Sequence, residues 1–244
     1  MTERYYVPNA LESKRIRLEG SEAHHLLRVM RLESGATVTL FDGSGVEFEA
    51  RIIQAGRRDV QLEVISQRIV DREARRDVTL GVAFPTGHRQ SWLVEKATEI
   101  GIRRIVPLIT EKNRVPLEPK SVDRLRRTVI ETSKQCGRNC LMEISLPVRL
   151  DEFLSSETET WRILAHPFRE NLEDSDHPRN AYQDSRPVRV AVGPAGGFHD
   201  DEVRLAVQLG WETWHLGARI LRTETAALAI GCQLILAPLP GPNQ

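Results

Sequence analysis

The stretch VRVAVGPAGGFHDDEV (residues 188–203) and the nearby stretch WETWHLGARILRTETAALAIGCQLILAPL (residues 211–239) decide the fold. Their pattern predicts a strand, a glycine-rich loop at 193–198, a helix, a short strand, a second loop at 216–225 and an apolar helix. Each loop follows the carboxyl end of a predicted strand, which is where ligands bind in an open α/β sheet. We therefore expect this end of the sheet to hold a cofactor.

The first loop, GPAGG at residues 193–197, has the form of a loop that lets the backbone approach an anion or cofactor. It is not a P-loop, because no Lys-Ser/Thr pair follows the glycines, and it is not GxGxxG. These absences argue against a nucleoside triphosphate and a Rossmann dinucleotide. A glycine loop at a strand end is also compatible with a simple turn.

The second loop places Arg219 and Arg222 three residues apart, ahead of the last helix. Thr223 or Thr225 is expected to cap that helix, and Glu224 falls in its first turn, where the helix dipole favours an acid. The helix continues AALAIG at 226–231, small and apolar all round. Such a helix is buried on every side, so we expect it under the sheet and against a partner subunit.

Composition is that of an ordinary globular protein, with 40% hydrophobic residues and 34 basic against 34 acidic residues in 244. The opening MTERYYVPNA lacks the apolar region of a signal peptide, and no apolar run is long enough to span a membrane. Three cysteines and no zinc-like Cys/His spacing indicate a reduced protein without a metal site. We therefore expect a cytoplasmic location and no membrane partner.

Charge is unevenly distributed along the chain. Residues 102–140 contain ten Lys/Arg and four acids, whereas residues 151–176 contain eight acids and two arginines. The basic block could face the phosphates of a nucleic acid, or it could be a solvated helix face.

The N-terminal residues, 1 to about 70, alternate in period two between glycine turns, which predicts an antiparallel meander or small barrel. A short helix capped by Ser21 precedes these strands, and its His24 and His25 are expected to be structural or exposed. Residues 66–76, SQRIVDREARR, are charged and aperiodic and are interpreted as a linker.

After this linker, strands and helices alternate. We predict strands at 77–84, 105–109 and 160–165, helices at 91–100, 121–134 (capped by Ser121) and 151–154, and a polar surface loop at 171–186. This alternation predicts a mostly parallel sheet covered on both faces.

Several segments, taken in order, resemble one family over essentially the whole chain. They are EAHHLLRVMRLESGATVTLFDGSG, VEKATEIGIRRIVPLIT, ETSKQCGRN, VGPAGGF and LGARILRTETAAL. They resemble the ribosomal RNA uridine N3-methyltransferases, the RsmE-like branch of the SPOUT superfamily. The resemblance implies a PUA-like RNA-binding β-barrel at 1–70 and an α/β domain with a deep trefoil knot at 71–244.

The same resemblance implies a function. S-adenosylmethionine would be the methyl donor, the protein would be a homodimer, and N3 of a uridine in 16S ribosomal RNA of the small subunit would be the acceptor. Two alternatives remain open: methylation of a ribose 2′-hydroxyl, and a non-catalytic RNA-binding protein of ribosome assembly. The sequence also departs from the family pattern, since Ala195 stands where an acid is usual and Cys136 where a serine is usual.

The resemblance assigns site residues. For catalysis, Arg222 is the first candidate as a cation that stabilises the deprotonated uracil, Arg138 is the second, and Glu224 is a possible base whose capping role is favoured. The expected cofactor-binding residues are Leu164, His166, Pro167, Val192, Gly193, Pro194, Gly196, Gly197, Leu216, Gly217, Ile220, Leu221, Thr225 and Ala226. The expected RNA-binding residues are Arg28, Arg31, Arg114, Arg124, Arg127 and Arg138.

Overall fold

The computed structural model describes residues 3–8, 13–156, 160–167 and 186–236. The chain divides into two compact units. The first unit comprises Met1–Glu73 and Ile130–Leu141, and the second comprises Ala74–Val129 and Met142–Gln244. Residues 130–141 were not expected in the first unit, because no sequence pattern sets them apart from the rest of their predicted helix and loop.

The first unit is built on a five-stranded sheet in the order β1-β3-β4-β5-β2. Its elements are β1 (Arg4–Tyr6), β2 (Arg15–Leu18), α1 (Gly20–His24), β3 (Thr37–Phe41), β4 (Val46–Ala55) and β5 (Val60–Ile69). Strands β3, β4, β5 and β2 pair antiparallel, and β1 pairs parallel with β3. The predicted meander is therefore confirmed.

Hydrophobic alternation positions this sheet over its core. The buried side chains of β3 and β4 include Val38, Leu40, Phe48 and Ile52, and Leu26 from the π-helical turn that follows α1 packs with them. Each such side chain contributes roughly 1.5–3 kcal/mol through removal of its apolar surface from water.

Two predictions about this unit are wrong. Helix α1 begins at Gly20, so Ser21 lies inside its first turn and the N-cap position falls on Glu19. Residues 66–69 are not a linker, because β5 continues through them and pairs with Val46–Glu49. Their side chains are all exposed, so no hydrophobic alternation marks this end of the strand.

The second unit begins with β6 (Val78–Val82), α2 (Arg89–Ile100), β7 (Arg104–Ile109) and α3 (Pro119–Cys136), whose last turns belong to the first unit. It continues with β8 (Glu143–Ile144), β9 (Val148–Arg149), α4 (Leu150–Ser155), β10 (Trp161–Ala165), β11 (Val188–Val192), α5 (Asp200–Gln208), β12 (Glu212–Trp214) and α6 (Thr223–Leu236). The predicted alternation of strands and helices is confirmed, although α3 begins before Ser121, which is therefore not its cap. The predicted loop at 171–186 lies outside the described residues apart from Arg186.

The sheet of the second unit has the strand order β12-β10-β11-β6-β7-β8, with β9 pairing beside β7, and every pairing among the described residues is parallel. All five side chains of β11 are buried, as expected for a parallel strand with both faces covered. The chain winds outward from β6 through β7 to β8 and then returns to the other side of β6 at β10 and β11. This reversal is the kind of switch point at which α/β sheets bind ligands.

Candidate functional site

One cavity lies at the carboxyl ends of β10, β11 and β12, where three loops meet. Its lining residues are Ala165, His166, Pro167, Val192, Gly193, Pro194, Ala195, Gly197, Trp214, Leu216, Gly217, Arg219, Ile220, Leu221, Thr223 and Ala226. The two loops predicted to bind a cofactor thus form opposite parts of a single pocket.

Glycine is required in the first loop for conformation and for space. Gly197 has φ 66°, in the left-handed region, and its N–H donates to the Pro194 carbonyl at 2.8 Å. A Cβ on Gly193 would lie 3.1 Å from the backbone nitrogen of Phe198. The loop is therefore a tight turn that lines the cavity.

Lys112 fixes the outer side of this loop. Its Nζ donates to the Gly196 carbonyl at 2.8 Å and to the Phe198 carbonyl at 3.3 Å. Lys112 lies in the loop after β7, far away in sequence, and the sequence did not identify it.

Helix α5 makes a second contact between this part of the site and the loop after β7. The Glu202 carboxylate accepts from the backbone N–H of His199 at 2.7 Å, completing a capping box with the His199 side chain. Its other oxygen accepts from the backbone N–H of Glu111 at 2.8 Å. The loop after β7 thus holds both the glycine loop and the start of the helix that follows it.

The start of α6 is tied to the glycine loop as well. The Thr223 hydroxyl donates to the Gly193 carbonyl at 3.0 Å. Arg222 precedes the helix, and its carbonyl accepts the helical hydrogen bond from the Ala226 N–H at 2.9 Å. The prediction that Thr223 or Thr225 precedes and caps the helix is therefore wrong, since Thr223 is its first residue and Thr225 lies exposed in its first turn.

Of the expected cofactor-binding residues, all but Leu164, Gly196 and Thr225 line the cavity. Leu164 is fully buried in the core of the unit, and the Gly196 carbonyl points to Lys112. The cofactor-binding residues expected from the sequence did not include Ala195, Trp214, Arg219 and Thr223, whereas Ala165 lies in the stretch 164–167 that was expected to form a wall of the site. Trp214 and Arg219 lie within the stretch 211–239, and its pattern of a strand followed by a loop is the signal from which their place in the lining could have been predicted. The binding roles themselves remain predictions.

The three candidate catalytic residues have different surroundings. Arg222 is exposed between the cavity-lining Leu221 and Thr223. Glu224 is 4% exposed, with Arg89 Nη1 3.7 Å from its Oε1 and no hydrogen-bond partner for its Oε2 among the described residues. Arg138 belongs to the first unit, where it is 4% exposed and forms a two-pronged ion pair with Glu73 at 2.6–3.1 Å.

The expected RNA-binding arginines, apart from Arg138, are exposed: Arg28, Arg31, Arg114, Arg124 and Arg127. Arg114 contacts Glu111 and Arg124 donates to the Gln90 side chain at 3.2 Å, so both keep donors available to a partner. The Arg138 side chain is paired with Glu73 of the same chain, and a contact of Arg138 with RNA stays a prediction.

The described part of the chain shows neither a membrane-spanning helix nor a metal site. No helix there is long and apolar enough to cross a membrane. No group of three or more His, Cys, Asp or Glu side chains in that part is arranged to hold a metal ion.

The class of protein is given by two family models that match the α/β unit and the small β unit. Residues 72–234 match the family model of the RNA methyltransferase domain, and residues 18–65 match that of the RNA methyltransferase PUA domain. The chain therefore belongs to the RNA methyltransferase family. The predicted family, the mostly parallel α/β fold and the PUA-like domain are confirmed, whereas the knot stays a prediction.

Individual relatives agree with this assignment. Ribosomal RNA small subunit methyltransferase E of Rickettsia conorii is 28% identical over 96% of this chain and 95% of its own length. The Neisseria gonorrhoeae protein of the same name, solved bound to S-adenosyl methionine, is 28% identical with a TM-score of 0.83 and covers 96% of this chain and 97% of that one. A Legionella pneumophila protein solved with the bound cofactor SAM is 33% identical with a TM-score of 0.85, with the same coverage.

Proposed function

We propose that this chain transfers the methyl group of S-adenosylmethionine to N3 of a uridine in 16S ribosomal RNA of the small subunit. The observation that carries the proposal is the cavity at the ends of β10, β11 and β12, in a chain of a family whose solved relatives hold this cofactor. Ribose 2′-O methylation and RNA binding without catalysis are the competing outcomes.

The residues present fit S-adenosylmethionine. A Cβ on Gly193 would crowd the backbone at Phe198, so the glycine keeps this loop in its tight turn beside the cavity. Exposed Ile220 and half-buried Leu221 offer apolar surface for an adenine ring, and the loop backbone offers hydrogen bonds for its polar edge. When bound, the cofactor would supply a methyl group on a sulfonium; a nucleophile can attack this methyl carbon, and the neutral thioether then leaves with the electrons of the broken S–C bond.

This chain's own residues must orient the uridine and manage the N3 proton. N3 becomes a good nucleophile only after that proton is lost, so a nearby cation that stabilises the imide anion lowers the barrier. Arg222 is our candidate, because it is exposed and adjoins two residues that line the cavity. We assign buried Glu224 to holding the start of α6 beside Arg89 rather than to proton transfer.

The target base must leave its stack to reach such a pocket. We propose that residues 1–70 form the PUA-like RNA-binding domain and residues 71–244 the methyltransferase domain. We also propose that the latter contains the trefoil knot and forms a homodimer through α6 in the cytoplasm. Light scattering coupled to size exclusion would test the dimer, and a monomer at micromolar concentration would contradict it.

Mass spectrometry of the modified nucleoside tests the activity. Purified protein is incubated with small-subunit RNA, or with assembled small subunits, and labelled S-adenosylmethionine, and the RNA is digested to nucleosides. We expect 3-methyluridine. A 2′-O-methylated nucleoside would favour ribose methylation, and no transfer together with no calorimetric binding of the cofactor would favour a non-catalytic protein.

A further inference from the structure

The first unit contains a cavity of about 840 Å³, whose lining residues are remote in sequence from the cofactor loops. Its lining comes from the start of the chain and β1, from α1 and the π-helical turn that follows it, from β3–β5 and Arg72 beyond β5, and from the end of α3, all within that unit. Gln135, Cys136 and Gly137, from the segment ETSKQCGRN, are part of this lining. The segment that helped to suggest the family therefore borders a cavity to which no role has been given.

One wall of the cavity is a preorganised cluster of arginines. Glu47 is 3% exposed and is bound by Arg4, by Arg68 at 2.9 Å and by Arg72 at 2.8 Å. Burial alone would raise the pKa of Glu47, but hydrogen bonds from Arg72, Arg4 and Arg68 outweigh it and lower the pKa to about 2. The carboxylate is thus ionised at neutral pH and holds three guanidinium groups in place.

This wall keeps an excess of positive charge that a ligand can reach. Three arginines share one carboxylate, and the side chains of Arg68 and Arg72 are 74% and 44% exposed. Guanidinium groups held in fixed positions are well suited to bind a phosphate, because their planar donors match its oxygens.

The wall near α1 contains buried polar atoms that lack a partner. The Oε2 of Glu22 and the Nδ1 of His25 have no hydrogen-bond partner among the described residues, and neither does the Nε of Arg4. The other oxygen of Glu22 accepts from Lys134 at 2.8 Å. These atoms and the hydroxyl of Tyr5 lie inside the wall rather than open to the cavity. Because an unpaired buried polar group is costly, a ligand whose polar edge enters this wall would be favoured by pairing with them.

The balance of charge narrows the class of ligand. The lining contains Arg4, Arg68, Arg72 and Lys134 against Glu3, Glu22, Glu47 and Glu131, so the cavity as a whole is neutral. A polyphosphate would find too little positive charge. A ligand with one phosphate and a neutral base edge matches the arginine wall and the unpaired atoms together.

We infer that this cavity binds one unstacked nucleotide of the RNA substrate, with its phosphate on Arg68 and Arg72 and its base edge near Glu22 and His25. The inference rests on the proposed function, which makes RNA the substrate. It assigns the first unit a defined nucleotide site in addition to its exposed arginines.

Binding of 16S RNA transcribed in vitro, measured by fluorescence anisotropy at several salt concentrations, tests the inference. Arg68→Gln and Arg72→Gln should each weaken binding about three- to tenfold and reduce the slope of log K against log salt by about one. Arg57→Gln, at another exposed arginine on the turn between β4 and β5, is the control and should change little. His25→Phe keeps a ring against Tyr5 and should weaken binding without changing the salt slope.

Wild-type RNA affinity in both Arg68→Gln and Arg72→Gln, or an equal loss in Arg57→Gln, would overturn the inference. Calorimetric affinity for S-adenosylmethionine should stay unchanged in all four variants and serves as the check on folding. The two proposals fail separately. Formation of 3-methyluridine with unaffected RNA binding in the variants would reject only this site, whereas absence of the modified nucleoside in the wild type would reject only the activity.

Discussion

Lys112→Met should weaken binding of S-adenosylmethionine, although Lys112 does not line the cofactor cavity. Its ammonium group donates to the carbonyls of Gly196 and Phe198 at 2.8 and 3.3 Å. A hydrogen bond to a charged group contributes about 1.5–3 kcal/mol when it is well shielded. Because Lys112 is exposed, we reduce this to about 0.5–1 kcal/mol for each bond.

The loss of both bonds, about 1–2 kcal/mol, would appear as the cost of ordering the glycine loop when the cofactor binds. Affinity should therefore fall about five- to thirtyfold, measured by isothermal titration calorimetry. Lys112→Arg should restore part of it, and Lys120→Met, at an exposed lysine in the first turn of α3, is the control. Affinity within twofold of the wild type in Lys112→Met would refute this role of the lysine.

Three further changes are predicted. Arg222→Ala should abolish methyl transfer and leave the calorimetric affinity for the cofactor within about threefold of the wild type. Arg204→Ala, at another exposed arginine, is the control and should stay active. Full activity of Arg222→Ala would show that Arg222 has no part in the mechanism. Gly81→Ala should lower the free energy of unfolding by about 1–3 kcal/mol in urea titrations, because its Cβ would lie 2.6 Å from the Phe153 ring; an unchanged midpoint would contradict this. Glu47→Gln should cost about 3 kcal/mol at pH 7. Since the folded pKa of Glu47, about 2, is below the usual 4.5, the wild type should lose this contribution as pH falls from 4.5 towards 2 and the variant should not; parallel pH profiles would argue against it.

The parts of the site that could be predicted are those whose signals are local. The run from β11 to α6 contains its own strand, glycine and helix signals, so the order of its elements followed from the sequence. The closing of two loops around one cavity depends on β12 lying beside β10 and β10 beside β11. Strand order is a property of the whole sheet, and no local signal in the sequence predicted it.

Contacts between distant segments were not predictable from the sequence. Lys112 and Gly196 are 84 residues apart, and nothing in either segment indicates that they meet. Likewise, the basic block at 102–140 suggested one surface, but the chain uses it in two ways. Arg114, Arg124 and Arg127 are exposed, whereas Arg138 is buried against Glu73. Charge density along the sequence does not distinguish a solvated arginine from a paired one.

The same contacts bear on Ala195, the residue at which the glycine loop departs from the family pattern. Ala195 is exposed and its side chain is small, so it cannot fix the loop by a hydrogen bond. The loop is instead held through its backbone, at Gly193 by the Thr223 hydroxyl and at Gly196 by Lys112. Because a backbone carbonyl is present whatever residue stands at 195, loss of an acid there leaves these ties intact. We therefore expect the cofactor pocket to keep its shape without the acid, through the hydrogen bonds of Thr223 and Lys112.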